Sequence, residues 1–177
     1  MNIIKEENLY KGFLKLDKLT IKLPNGEIIK REIIRKKCSV SIIALTDDNE
    51  IYFVKQPRAG SGRLESIELP AGLIEEDEEP EISAKRELAE ETGCVADNFT
   101  MIQKFISDPA CCDNHSYVFL AEHAKKVKEL QLDDDEFLEP IKIPVKKVFE
   151  MLEDGTIDDS ASVIALLKLK NLKNFEN

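Results

Sequence analysis

Three glutamates set the terms of the reading. Glu87, Glu90 and Glu91 are three and four positions apart, which in an α-helix places them on one face. Carboxylates this close repel one another unless water screens them or a divalent cation neutralises them. Hard oxygen donors in that number suit magnesium or manganese, above all where a substrate phosphate completes the coordination shell. The plainer alternative is a solvated acidic helix face, and composition does not choose between the two. A second acidic run, Asp133-Asp134-Asp135-Glu136, resembles half a calcium loop. The sixth position from Asp133 is Leu138 where such a loop needs glycine, so that reading fails. Gly60-Ser61-Gly62 has no Lys-Ser/Thr behind it and is no Walker-type phosphate loop. His115 and His123 read as ordinary polar histidines. Cys111-Cys112 reads as loop packing. With Cys38 and Cys94 the pair makes four cysteines without a Cys-x-x-Cys, so reduced thiols are expected rather than a disulfide framework or a structural zinc site.

Elements must hold these residues in place. Pro80 suits a first helical turn and Gly93 a C-terminal cap, so a helix is expected over 80–92, with Ala84 and Leu88 turned inward from the glutamate face. Strands are expected over 13–23 and 28–35, joined by the Pro24-Asn25-Gly26 turn, and again at Val40–Leu45 and Ile51–Val54. Pro57 to Ser66 reads as an irregular loop. Further strands are expected at Phe99–Ile106 and Tyr117–Ala121. One helix should run from near Pro144 to Gly155. A last one should start with Ser160 as N-cap and bury Val163, Ile164, Leu166, Leu167 and Leu169. The mixture is α+β or α/β.

Charge narrows the partners. The 177 residues carry 25 Lys+Arg against 35 Asp+Glu, a net −10 that disfavours general nucleic-acid binding. The first 37 residues nonetheless sum to +5, and residues 65–94 to −9. No apolar run reaches the roughly 18–20 residues of a membrane span, and the start resembles no secretory signal. A cytoplasmic protein without membrane or nucleic-acid partners is expected.

From Gly72 the chain reads Gly72, five residues, Glu78, seven residues, then Arg86-Glu87-Leu88-Ala89-Glu90-Glu91-Thr92-Gly93-Cys94. This resembles the Nudix box, with Cys94 where a bulky aliphatic residue usually stands. The likeness extends further. Val54-Lys55-Gln56-Pro57-Arg58, Glu68-Leu69-Pro70-Ala71-Gly72, Pro109 placed 16 residues after Gly93, and the tail from Gly155 to Leu166 are similar to ADP-ribose pyrophosphatases of that family.

The resemblance implies an α+β fold, the α/β/α sandwich of the Nudix type over 38–177, with a small N-terminal β subdomain over 1–37 serving dimerisation. It implies magnesium-dependent (manganese is the alternative) hydrolysis of the pyrophosphate of ADP-ribose to AMP and ribose 5-phosphate. Another nucleoside diphosphate sugar such as GDP-mannose, or a non-catalytic nucleotide-binding domain, stays open beside it. Metal ligands would be the Ala71 carbonyl, Glu87, Glu90, Glu91 and Glu136. Arg86 would orient the glutamates with Glu78 as its partner, while Arg58, Glu68 and Leu73 would meet substrate. Metal-bound glutamates accept protons poorly, which leaves the general base to the 133–136 run, Glu136 first and Asp134 second. In a homodimer each N-terminal subdomain would help bind the other subunit's adenosine.

Overall fold

A computed structural model describes residues 1–130, 132 and 137–173. These divide into two units. The first comprises Met1–Cys38 together with Phe105–His115, and the second Ser39–Lys104 and the described residues from Ser116 onward.

The first unit is a three-stranded antiparallel sheet, β1 (Asn2–Lys11), β2 (Lys15–Lys22) and β3 (Ile28–Arg35), with β2 central. Two of these strands were expected and β1 was not. β1 is exposed at all ten positions, so it lacks the alternation that marks a half-buried strand and is held by pairing to β2. Leu19 and Ile21 are buried on β2. Gly26, at φ +89°, makes the β2–β3 turn with its N–H donating to Leu23 O.

The second unit is built on a mixed sheet. Its strands are β4 (Ser39–Leu45), β5 (Glu50–Arg58), β6 (Arg63–Glu68), β7 (Ala71–Leu73), β9 (Asn98–Phe105), β10 (Ser116–Glu122) and β12 (Glu139–Pro144). They lie in the order β12-β5-β4-β10-β9, with β6 on β5 and β7 on β4. Short β8 (Cys94–Val95) and β11 (Lys125–Lys126) pair separately. The expected loop over 57–66 is mostly strand: β5 runs on to Arg58, one 3₁₀ turn spans Ala59–Ser61, and β6 resumes at Arg63.

Two pairings of β4 matter for the site. β10 runs parallel to it from Ser39↔Ser116 to Glu122↔Leu45. β5 meets only its far end, at Ala44 and Leu45, whereas β7 takes Ser39 to Ser41. One strand therefore carries two different neighbours in succession, and β7 leads directly toward α1 (Pro80–Thr92).

Val40, Ile42 and Ala44 alternate toward one face of the sheet, where they pack with Ala84 and Leu88 of α1, Cys94, Phe119 and Ala121. Cys94 is fully buried there, a small hydrophobe at the close of the box. α2 (Val145–Glu153) packs on β5 and β12, and α3 (Ser160–Lys173) on β4 and β10. On α3 Ala165, Leu166 and Leu169 are buried, but Leu167, expected inside, is 49% exposed. The N-cap is Asp159 rather than Ser160: its carbonyl accepts Val163 N–H at 3.0 Å and its Oδ1 accepts Ser162 N–H at 2.9 Å. Among the described residues no helix is long and apolar enough to cross a membrane.

Candidate active site

α1 begins with Pro80 in its first turn and ends at Gly93, whose φ of +70° and N–H to Ala89 O close the helix. A side chain at 93 would also collide with Lys128 O, at 2.1 Å from its Cβ. With Ala84 and Leu88 buried on the sheet, Glu87 and Glu91 on the adjoining flank of the helix are buried as well and turn to β7.

Arg86 organises that side. Its Nε and Nη2 donate to the two oxygens of Glu78, both at 2.9 Å, in a bidentate pair. Nη1 donates to Glu87 Oε1 at 2.6 Å and Glu90 Oε2 at 3.0 Å. Nη2 also reaches Leu73 O at 3.0 Å and Ser83 Oγ at 3.2 Å. Glu91 faces elsewhere, its Oε2 accepting the Ala71 N–H at 2.9 Å. Glu87 and Glu91 are both buried. Glu87 lies so close to Gly72 that a Cβ there would fall 2.0 Å from its Cδ.

The three glutamates thus share one side of α1, but only Glu87 and Glu90 converge on Arg86. Among the described residues no three acidic, histidine or cysteine side chains form a ready-made cage for a metal ion. The residue set still fits a hard dication by its chemistry. The donors are carboxylate oxygens, two of the carboxylates are buried, and one guanidinium faces three of them, leaving negative charge that a divalent cation would offset.

Arg86 holds the Glu78 carboxyl down to about 2, with burial opposing the shift and the Glu75 N–H reinforcing it. Its ordinary value is 4.5, so on acidification the unfolded chain takes up the proton first. The contribution of Glu78 to stability is therefore complete above about pH 4.5 and fades as pH falls toward 2. Denaturant unfolding of wild type and Glu78→Gln should differ clearly at pH 6, and the difference should shrink steadily between pH 4.5 and 2.5. A constant difference would exclude Glu78 as the titrating partner.

Beside this group, Arg58 Nη2 donates to Glu68 Oε2 at 2.6 Å and its Nε to both Glu68 oxygens at 3.0 Å. Glu68 is buried, and this hydrogen-bonded pair stabilises the arginine's charge, with Glu91 and Asp159 adding weaker attraction. Of the residues singled out in the sequence, Arg86, Glu87 and Glu90 touch, Glu91 meets Ala71, Leu73 lends its carbonyl to Arg86, and Arg58 meets Glu68. Asp134 and Glu136 lie outside the described residues.

Sequence reasoning missed Ser83, Ser162 and Asp159. Ser83 Oγ bridges Arg86 and Leu73 O, the latter at 3.4 Å. Ser162 Oγ accepts the Leu69 N–H at 2.9 Å, fixing the strand end before Ala71. Burial raises the Asp159 carboxyl above its ordinary range, against the Ser162 hydrogen bonds that lower it. The Asp159–Ser162 spacing of a helix cap was the available signal.

The family model described as NUDIX domain matches residues 35–166. The chain is 36% identical to the ADP-ribose pyrophosphatase of Bacillus subtilis (strain 168), over 94% of this chain and 91% of that protein. It is 34% identical to the methanol dehydrogenase activator of Bacillus methanolicus, again over 94% and 91%. Among solved structures an ADP compounds hydrolase superposes with a TM-score of 0.85 at 22% identity, covering 96% of this chain and 92% of that one.

Proposed function

The chain belongs to the Nudix family, and from that premise we propose that it hydrolyses the pyrophosphate bond of ADP-ribose, giving AMP and ribose 5-phosphate, with magnesium or manganese as the metal. The observation that carries the reading is the Arg86-centred carboxylate group on α1 in a chain 36% identical to an ADP-ribose pyrophosphatase. A divalent cation held by Glu87, Glu90, Glu91 and the Ala71 carbonyl would polarise phosphorus and offset the substrate's charge. Arg86 keeps Glu87 and Glu90 in place. Arg58, steadied by Glu68, meets a phosphate, with Leu73 alongside the substrate. Glu136 takes the proton of the attacking water, Asp134 being second choice. The setting is cytoplasmic, without nucleic-acid or membrane partners.

Turnover of ADP-ribose, GDP-mannose, NADH and diadenosine polyphosphates, each with magnesium, tests the reading. ADP-ribose should give the highest kcat/KM, and excess EDTA should abolish its hydrolysis. A higher kcat/KM for GDP-mannose would move the substrate to that sugar nucleotide. No turnover of any of them would favour a nucleotide-binding domain.

We further propose a homodimer formed through the N-terminal sheet of residues 1–37. What supports it is the exposed apolar set Ile3, Ile4, Leu9, Tyr10 and Phe13 on and beside β1, in a small sheet with little core of its own. Light scattering at micromolar concentration should give twice the chain mass of 20.1 kDa, and deletion of residues 1–12 should return it to the monomer value.

A further inference from the structure

We propose that Cys111 and Cys112 form a vicinal dithiol site, oxidised by low-molecular-weight disulfides to an internal Cys111–Cys112 disulfide. The proposed hydrolysis leaves both residues without a role. Their sulfurs stand 3.9 Å apart, both residues are half-buried and both thiols are free. They lie in the first unit, on a segment fixed at both ends of the pair. Cys111 N–H and Cys112 N–H donate to Asp108 O at 3.2 and 2.8 Å, and Ile34 N–H donates to Cys111 O at 2.7 Å. Asp113 accepts Arg35 Nη1 at 2.9 Å, and the same guanidinium holds Asp17 and Glu6 of the sheet.

The two thiols are not equivalent. Cys111 Sγ donates to Asp108 Oδ2 at 2.9 Å, and that carboxylate, ahead of burial and of Cys112, pushes the Cys111 thiol up to about 11. The thiolate is the nucleophile, so entry falls to Cys112. Its sulfur attacks one sulfur of the small disulfide, the S–S bond breaks, and the expelled thiolate takes the proton Cys112 gave up. Cys111 then passes its proton by way of Asp108 to the second leaving thiolate as its sulfur bonds to Cys112. Two protein thiols lose two electrons, and one small disulfide becomes two thiols. Consecutive Cα atoms are about 3.8 Å apart, below the roughly 4.4 Å at which ordinary disulfides begin. The product is therefore readily reduced again, the behaviour of a reversible site. The new ring contains the Cys111–Cys112 peptide, whose carbonyl serves Ile34, so closure disturbs that hydrogen bond to β3.

The test uses the full chain in glutathione buffers of graded ratio, quenched and digested with trypsin. Peptide Phe105–Lys125 carries these two cysteines alone, since Cys38 falls in Cys38–Lys55 and Cys94 in Glu87–Lys104. The expected result is loss of two hydrogens from Phe105–Lys125, reversed by dithiothreitol, with faster amide exchange at Ile34. Cys111→Ser should stop at a glutathione adduct on Cys112, about tenfold more abundant than the adduct on Cys111 in Cys112→Ser. The proposal is overturned if Phe105–Lys125 stays a dithiol under conditions that modify Cys38, or if wild type accumulates adducts without ring closure.

Discussion

Glu91→Gln is expected to lower ADP-ribose turnover by ~10²–10⁴-fold, the range for a positioned catalytic group, with the fold intact. Glutamine keeps the volume of a buried side chain, and its amide oxygen can accept the Ala71 N–H as Glu91 Oε2 does now. What it loses is the charge that would neutralise a dication. Circular dichroism and the unfolding midpoint should stay near wild type while kcat collapses. A variant that hydrolyses ADP-ribose at the wild-type rate would remove Glu91 from the metal-binding set.

Gly72→Ala should lower activity through Glu87 without touching any residue of the carboxylate group itself. The added methyl would lie 2.0 Å from Glu87 Cδ and 2.1 and 2.3 Å from its two oxygens, so it cannot coexist with that carboxylate. Those atoms are the far end of a flexible side chain, which can swing away only by giving up the hydrogen bond from Arg86. Stability should fall by about 1–3 kcal/mol, the range for losing a hydrogen bond to a charged group. Displacement of a catalytic group by about 1 Å can cost ~10²-fold in rate, and the shift here exceeds that. Steady-state kinetics beside urea unfolding would decide. Retained activity would mean that Glu87 does not work from the position it holds.

Legibility followed the physics of each element. α1 could be read because both ends are marked by residues with one dominant use, Pro80 and Gly93, and because Ala84 and Leu88 occupy its inner side. β1 left no comparable trace: every residue is exposed, so the sequence carries no period, and only pairing to β2 makes it a strand. β6 was hidden by Gly60-Ser61-Gly62. Of these Gly62 alone needs its freedom, at φ +68°, and extended structure resumes one residue later. Within the site, Glu78–Arg86 was legible from the family motif. That Glu91 turns to the Ala71 amide was not, since this depends on β7 pairing with β4 beside the helix. Ser83 escaped because a serine inside a helix is unremarkable until its partners are known.

The parallel register of β4 with β10 also sets a schedule for biosynthesis. Ser39 pairs with Ser116, 77 positions later. At roughly 5–20 residues per second, a ribosome needs on the order of 4–15 s to supply that partner once β4 has been made. For that interval the Val40–Leu45 strand, the most apolar in the chain's first half, has an open hydrogen-bonding edge of the kind that recruits other chains. The nascent polypeptide is thus most in need of a holding chaperone between the completion of β4 and the arrival of the residues near 116.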